Sequence, residues 1–149
     1  MFHHILCPTD LGERGFLALE KAVQIAHQFD ARITLLNVHR EFMDKHEMEM
    51  LRVSVNKMKE KFKQTAVSCR EEMKKLIGAL HAEDIVVDYL LREGKPESLI
   101  AKVADELGAD LIVICTDGRD NIGDFVWGTV TEHVINRATC PVLVVPFRK

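Results

Sequence analysis

Gly118, Gly128 and Thr129 have the types and spacing with the clearest chemical use in this chain. The two glycines stand ten residues apart in the stretch C-T-D-G-R-D-N-I-G-D-F-V-W-G-T-V, residues 115–130, and the threonine follows directly. A glycine lets backbone approach a ligand with no Cβ in the way, and a threonine hydroxyl donates to an anionic oxygen. A helix beginning at the end of this stretch adds its first N–H groups and the positive end of its dipole. The chemistry implied is the binding of a phosphate-like anion. Two common signatures are excluded. Gly118 and Gly123 have P-loop spacing, but Asp124-Phe125 stands where a lysine and a hydroxyl residue are required. No G-x-G-x-x-G follows the first expected strand either. Taken alone, the spacing equally suits a surface loop with glycines in its turns.

Such a loop needs a strand before it and a helix after it. The apolar run at 110–114, D-L-I-V-I, predicts a buried parallel strand. Val130, Val134 and Ile135 fit one face of a helix over 130–137. Earlier in the chain, 3–9 predicts a first strand stopped by Pro8, followed by a turn at 10–15. A helix over about 16–29 follows, with Leu17, Leu19, Ala22, Val23, Ile25 and Ala26 as its stripe. Residues 31–38 then predict a second strand, rich in β-branched side chains. This order implies a right-handed parallel crossover.

Between about 44 and 81 only Gly78 interrupts a helical pattern that includes Leu51, Val55, Met58, Phe62, Cys69, Met73, Leu76 and Leu80. One long helix across a sheet is the simpler reading of it, and a coiled coil the alternative. The lysines at 57–63 form its solvated face. A third strand over 84–91, a turn at 92–96 and a helix opened by Pro96 and capped by Gly108 come next. Residues 141–147 predict a last strand, placed at a sheet edge because Pro146 donates no ladder hydrogen bond. The tally is β-α-β-α-β-α-β-α-β: an α/β, doubly wound parallel sheet in a single domain over 1–149. In such sheets ligands bind beyond the carboxyl ends of the strands, where the strand order reverses. Asp10 ends the first strand and Cys115 the fourth, so if these strands are neighbours their loops face one crevice.

Composition narrows the class further. A length of 149 residues suits one domain, and 47% hydrophobic residues suffice for a core. A formal charge of −3 gives no reason to invoke nucleic acid or an anionic membrane. Cys7, Cys69, Cys115 and Cys140 are far apart, with no C-x-x-C, which suits a reduced, cytoplasmic setting. No basic segment leads into a long apolar one near Met1, and no run approaches a membrane span.

Several segments together resemble the universal stress protein family. They are C-P-T-D at 7–10, L-L-N-V-H at 35–39, R-E-G-K-P at 92–96, D-L-I-V-I at 110–114, G-T-V-T-E-H-V-I at 128–135 and A-T-C-P-V-L-V-V-P at 138–146. The resemblance covers essentially the whole chain and implies strand order 3-2-1-4-5. It also implies an adenine-nucleotide site for ATP, ADP or AMP, on the family pattern G-x2-G-x9-G-S/T. Here the second and third glycines are Gly118 and Gly128, the hydroxyl residue is Thr129, and the first glycine falls on Cys115, a departure. By this resemblance Pro8, Thr9, Asp10 and Val38 line the adenine and ribose side. Gly118, Arg119, Gly128, Thr129 and Val130 surround the phosphates. Asp117, Asp120 and Asp124 crowd the same loop, and a divalent metal such as Mg²⁺, held between phosphates and carboxylate, resolves that conflict. Family members also dimerise through the last strand, and its apolar edge over 141–147 suits a homodimer.

Other chemistry is weaker. His3 and His4 are adjacent in a strand and point to opposite faces; nothing in the sequence gathers them with His39 or His133. Cys115 near a helix start suits a reactive thiol, but no base is evident beside it, and a small core thiol is the simpler reading. Trp127 reads as a packed loop anchor. Three functions stay open: a nucleotide-binding stress-response sensor or regulator with at most slow ATP hydrolysis, a dimeric relative that has lost nucleotide binding, and an enzyme on the same fold.

Overall fold

The computed structural model describes residues 1–39, 55–116, 118–119, 125–126 and 128–147, without the side chains of 55–58, 118–119 and 125–126. The elements in chain order are β1 (His4–Pro8), α1 (Glu13–Phe29), β2 (Arg32–His39), α2 (Val55–Ala79), β3 (Val87–Glu93), α3 (Pro96–Leu107), β4 (Leu111–Cys115), β5 (Gly118–Arg119), β6 (Phe125–Val126), α4 (Thr129–Arg137) and β7 (Val142–Val145).

Five of the strands make one sheet in the order β3-β2-β1-β4-β7. All its pairings are parallel, as the alternation of strands and helices predicts. β5 and β6 form a separate antiparallel ribbon within the 115–130 stretch, Gly118 opposite Val126 and Arg119 opposite Phe125.

Burial explains which strands are central. In β2 the run Ile33-Thr34-Leu35-Leu36-Asn37 is buried, and in β1 Ile5, Leu6 and Cys7 are. Such runs bury both faces, so helices must cover both. On one face Ile5, Cys7, Leu35 and Val113 meet Leu19, Ala22, Val23 and Ala26 of α1, and Cys69, Met73 and Ile77 of α2. On the other, Leu6, Leu36, Ile112 and Ile114 meet Ile100, Val103 and Ala104 of α3 and Val134 of α4. Each fully buried Leu or Ile contributes about 1.5–3 kcal/mol relative to exposure.

α1, β3 and β7 differ in extent from the sequence reading. α1 starts at Glu13 instead of residue 16, which shortens the preceding turn. β3 starts at Val87 instead of 84 and runs on to Glu93, held by its register against Ile33 through His39 of β2. The residues ahead of it serve another contact, in which the Asp84 carboxylate meets His27 Nε2 at 3.1 Å. That hydrogen bond holds the Asp84 carboxyl below its ordinary range. β7 ends at Val145, so Pro146 lies beyond the strand and not within it, and the strand is at a sheet edge as expected. Of the expected long helix, residues 44–54 lie outside the described residues, as does Trp127; from Val55 on it is one helix. Among the described residues no helix is long and apolar enough to cross a membrane.

Candidate functional site

β1 and β4 are paired neighbours. The chain leaves β1 toward α1 on one side of the sheet, and β1 also pairs with β2. This is the point where the strand order reverses, and a cavity of about 510 Å³ opens there, within the usual range for a small-molecule pocket. Its walls include Pro8, Thr9, Asp10, Val38, Cys115 and Val130, all expected from sequence.

The floor is set by a tight turn. Thr9 Oγ1 accepts the Leu11 N–H at 3.0 Å, and Asp10 Oδ1 accepts that of Gly12 at 2.8 Å. These side chains replace backbone partners in the turn and hold Leu11 at a φ of 66°, a left-handed value costly for a branched residue. The turn is therefore over by Glu13, and Arg14 and Gly15 of the first helical turn also line the cavity. A further tie comes from β2. The buried Asn37 donates from Nδ2 to the Thr9 carbonyl at 2.9 Å, and its Oδ1 accepts from the Cys69 thiol of α2 at 3.5 Å. Both ends of the Asn37 amide are thus satisfied while the residue lines the cavity.

The opposite wall is apolar: Leu36, Pro96, Ile100 and Ile114 continue the core face of α3 into the cavity. Thr131 in the first turn of α4 donates from Oγ1 to the Cys115 carbonyl at 3.4 Å. The fully buried Thr116 fixes the next residue of the loop. Its N–H donates to the Val145 carbonyl at 3.0 Å, and its Oγ1 accepts the Phe147 N–H at 3.0 Å. Gly128 caps α4 with φ 85° and ψ 153°, a backbone conformation open essentially to glycine alone.

The expected phosphate side is placed as follows. Thr129 is exposed at the first position of α4, and neither it nor Gly128 lines the cavity. Gly118 and Arg119 are described by their backbone, in β5. Asp117, Asp120 and Asp124 lie outside the described residues. Cys115 is half-buried, packed against the α1 and α2 side of the core, and stands in the cavity wall without closing it. Cys7 is fully buried, and burial first, then the nearby Cys115, pushes its thiol up to about 12. At neutral pH Cys7 is therefore protonated and a core residue.

Arg14, Gly15, Asn37, His39, Pro96 and Ile100 line the cavity without having been expected there. A signal existed for Arg14 and Gly15, because Thr9-Asp10 after a strand is a turn pair that lets a helix start early. Asn37 was visible as a polar residue in an otherwise apolar strand.

The comparisons with known proteins agree with this architecture. The family model described as the universal stress protein family matches residues 1–146. The chain belongs to the universal stress protein family. A putative universal stress protein of Staphylococcus aureus strain USA300 is 31% identical over 145 residues, covering 97% of this chain and 84% of that protein. Among solved structures, hypothetical protein MJ0577 superposes with a TM-score of 0.76 at 28% identity, covering 100% of this chain and 99% of the other. A universal stress protein from Archaeoglobus fulgidus, solved in complex with dAMP, superposes with a TM-score of 0.61 at 20% identity, covering 97% of both chains. At that identity the likeness is one of fold. The five-stranded order and the helices on both faces are those of a universal stress protein, as the resemblance implied.

Proposed function

We propose that this universal stress protein binds an adenine nucleotide in the cavity between the β1–α1 turn and the 115–130 stretch, and acts as a stress-response sensor or regulator. The observation that carries the reading is the cavity itself. It opens at the strand-order reversal and is walled by Pro8, Thr9, Asp10, Val38, Cys115 and Val130. Its apolar side suits a flat base, and the Asp10 carboxylate suits ribose hydroxyls. Gly128 at the start of α4 suits phosphate, with Thr129 directly after it and Gly118 and Arg119 earlier in the same stretch. A divalent cation such as Mg²⁺, arriving with ATP, would offset the three loop aspartates. The dAMP complex of the Archaeoglobus relative supports the ligand class. The reading is of binding, with hydrolysis slow at most. The test is mass spectrometry of nucleotide retained through purification, followed by calorimetry with ATP and AMP. Retained or titratable adenine nucleotide is expected, and its absence in both would favour the relative that has lost nucleotide binding.

The same reading includes a homodimer through β7. This strand stands at the sheet edge, and Leu143 on it is 38% exposed, with Val142 and Val144 half-buried. An open apolar edge favours pairing with a second copy about a twofold axis. Sedimentation at micromolar concentration should show a dimer that Leu143→Lys shifts to monomer, because a charge buried in the new interface is costly. A monomeric wild type, or a variant that dimerises unchanged, would remove this interface.

A further inference from the structure

We propose that Asn37 is the positioning residue for the nucleobase: its side-chain amide occupies the Thr9 carbonyl, stops the β1–β2 ladder early and leaves the main-chain N–H and C=O of Val38 to the ligand. This rests on the nucleotide reading above and adds to it the residue that opens the base side of the site. The strand register carries the argument. β1 and β2 pair from His4 opposite Arg32 to Pro8 opposite Leu36. On β2 the Arg32 N–H donates to the His3 carbonyl, and the Leu36 carbonyl accepts the Thr9 N–H at 2.8 Å. Ile33 and His39 bond instead to the β3 side, through the Val86 carbonyl and the Gly94 N–H. Alternate residues of a strand direct both main-chain groups to the same neighbour, so Val38, like Leu36, aims its N–H and C=O at β1. Continued in register, the ladder would join the Val38 N–H to the Thr9 carbonyl and the Val38 carbonyl to the Leu11 N–H. Among the described residues neither bond forms. Asn37 Nδ2 holds the Thr9 carbonyl at 2.9 Å, and Thr9 Oγ1 holds the Leu11 N–H at 3.0 Å. β1 therefore turns away toward Asp10, and Val38 stands in the cavity wall.

Asn37 is itself held in place for this. It is buried, and its Oδ1 accepts from the Cys69 thiol at 3.5 Å. Burial first, then the nearby Glu72, raises the Cys69 thiol, which keeps it protonated and a donor. A thiol gives its proton to the amide oxygen and a carbonyl takes one from the amide nitrogen, so the two contacts fix which way the amide faces. An amide among Ile33, Leu35 and Leu36 costs free energy wherever it lacks partners. A leucine would fill the same place in the core without that cost, and it would leave the Thr9 carbonyl to the Val38 N–H. The amide thus exchanges a main-chain ladder bond for an open donor and acceptor at Val38. Adenine offers an amino donor next to a ring acceptor along one edge, which matches a carbonyl next to an N–H. Hypoxanthine offers an acceptor next to a donor at the same positions and does not match.

The experiment compares ATP with ITP, its hypoxanthine counterpart, by calorimetry on wild type, Asn37→Leu and Asn37→Ser. Leucine fills the position without a donor, and serine is too short to reach the Thr9 carbonyl and does not overpack. In both variants ATP affinity falls about tenfold while ITP affinity stays within about twofold, so the preference for adenine narrows. Amide hydrogen exchange on the ligand-free proteins reads the cause. Exchange at Val38 slows at least about tenfold in the variants, because its N–H takes the vacated Thr9 carbonyl. Equal weakening of ATP and ITP would make Asn37 a merely structural residue of β2 and overturn the proposal, as would unchanged Val38 exchange in both variants. If the variants hold ATP as wild type does, the Asn37 assignment alone falls. If wild type holds neither ligand, the nucleotide reading falls and takes this assignment with it.

Discussion

Gly128→Val abolishes adenine-nucleotide binding and leaves the sheet folded: this is the result expected from the start of α4. Gly128 has φ 85° and ψ 153°, and its carbonyl accepts the Glu132 N–H at 3.1 Å, the first hydrogen bond of the helix. A valine at these angles is strained by about 1–3 kcal/mol. The backbone escapes by rotating, which turns the N–H groups at the head of α4 away from the ligand and puts a branched side chain in their place. The loss of an aligned set of donors, together with the steric block, should lower affinity at least about a hundredfold, some 2.7 kcal/mol. Calorimetry with ATP reads the effect, and circular dichroism confirms that the helices persist. Thr129→Ala, which removes one exposed hydroxyl, should cost about tenfold or less. Unchanged affinity in Gly128→Val would move the ligand away from α4.

The site was legible to different depths in different segments. Asp10 and Cys115 were placed at facing strand ends because apolar runs set their strands, and the β1–β4 pairing bears this out. Gly128 was singled out as a glycine where backbone approaches a ligand with no Cβ in the way, and its φ of 85° is a second reason for glycine there. Arg14 and Gly15 were assigned to a turn because Asp10, Gly12 and Gly15 together look like irregular chain. Two side-chain hydrogen bonds, at Thr9 and Asp10, complete the turn in fewer residues than that composition suggests. Helix periodicity begins only where side chains reach the core, so the first turn of α1, which faces the cavity, shows none. The same cause hid Pro96 and Ile100. Pro96 was read as opening a helix that spans Ile100, and nothing local marks where a core face ends and a cavity wall begins. The start of β3 was misplaced because Ile85 and Val86 carry strand-like side chains, while pairing with β2 begins only at Val87.

Gly15→Val should be the most destabilising single change near the cavity. A Cβ at this position would lie 2.3 Å from Thr9 Oγ1, 3.0 Å from Asp10 Oδ1 and 3.2 Å from the Asp10 backbone nitrogen. Thr9 cannot simply swing aside, since it is 7% exposed and its Oγ1 holds the Leu11 N–H. The turn must move as a unit, breaking that bond and disturbing the Asn37 contact to the Thr9 carbonyl. Overpacking of a fitted site costs about 1–3 kcal/mol, and a lost hydrogen bond with a stranded donor adds about 1 kcal/mol or more. For a domain of this size about 3 kcal/mol lowers Tm by roughly 6–12 °C. Gly78→Ala is the control, because a Cβ there meets only Glu83 Oε1 at 3.7 Å, near the end of α2. Removing glycine's freedom from the unfolded chain at such an open site stabilises by about 0.4–1 kcal/mol, so its Tm should rise by about 1–4 °C. Thermal melts of the two variants beside wild type read the opposite signs. A Gly15→Val protein melting within about 2 °C of wild type would show that the β1–α1 turn gives way freely. The close packing of Thr9 against α1 would then not be what shapes the cavity floor.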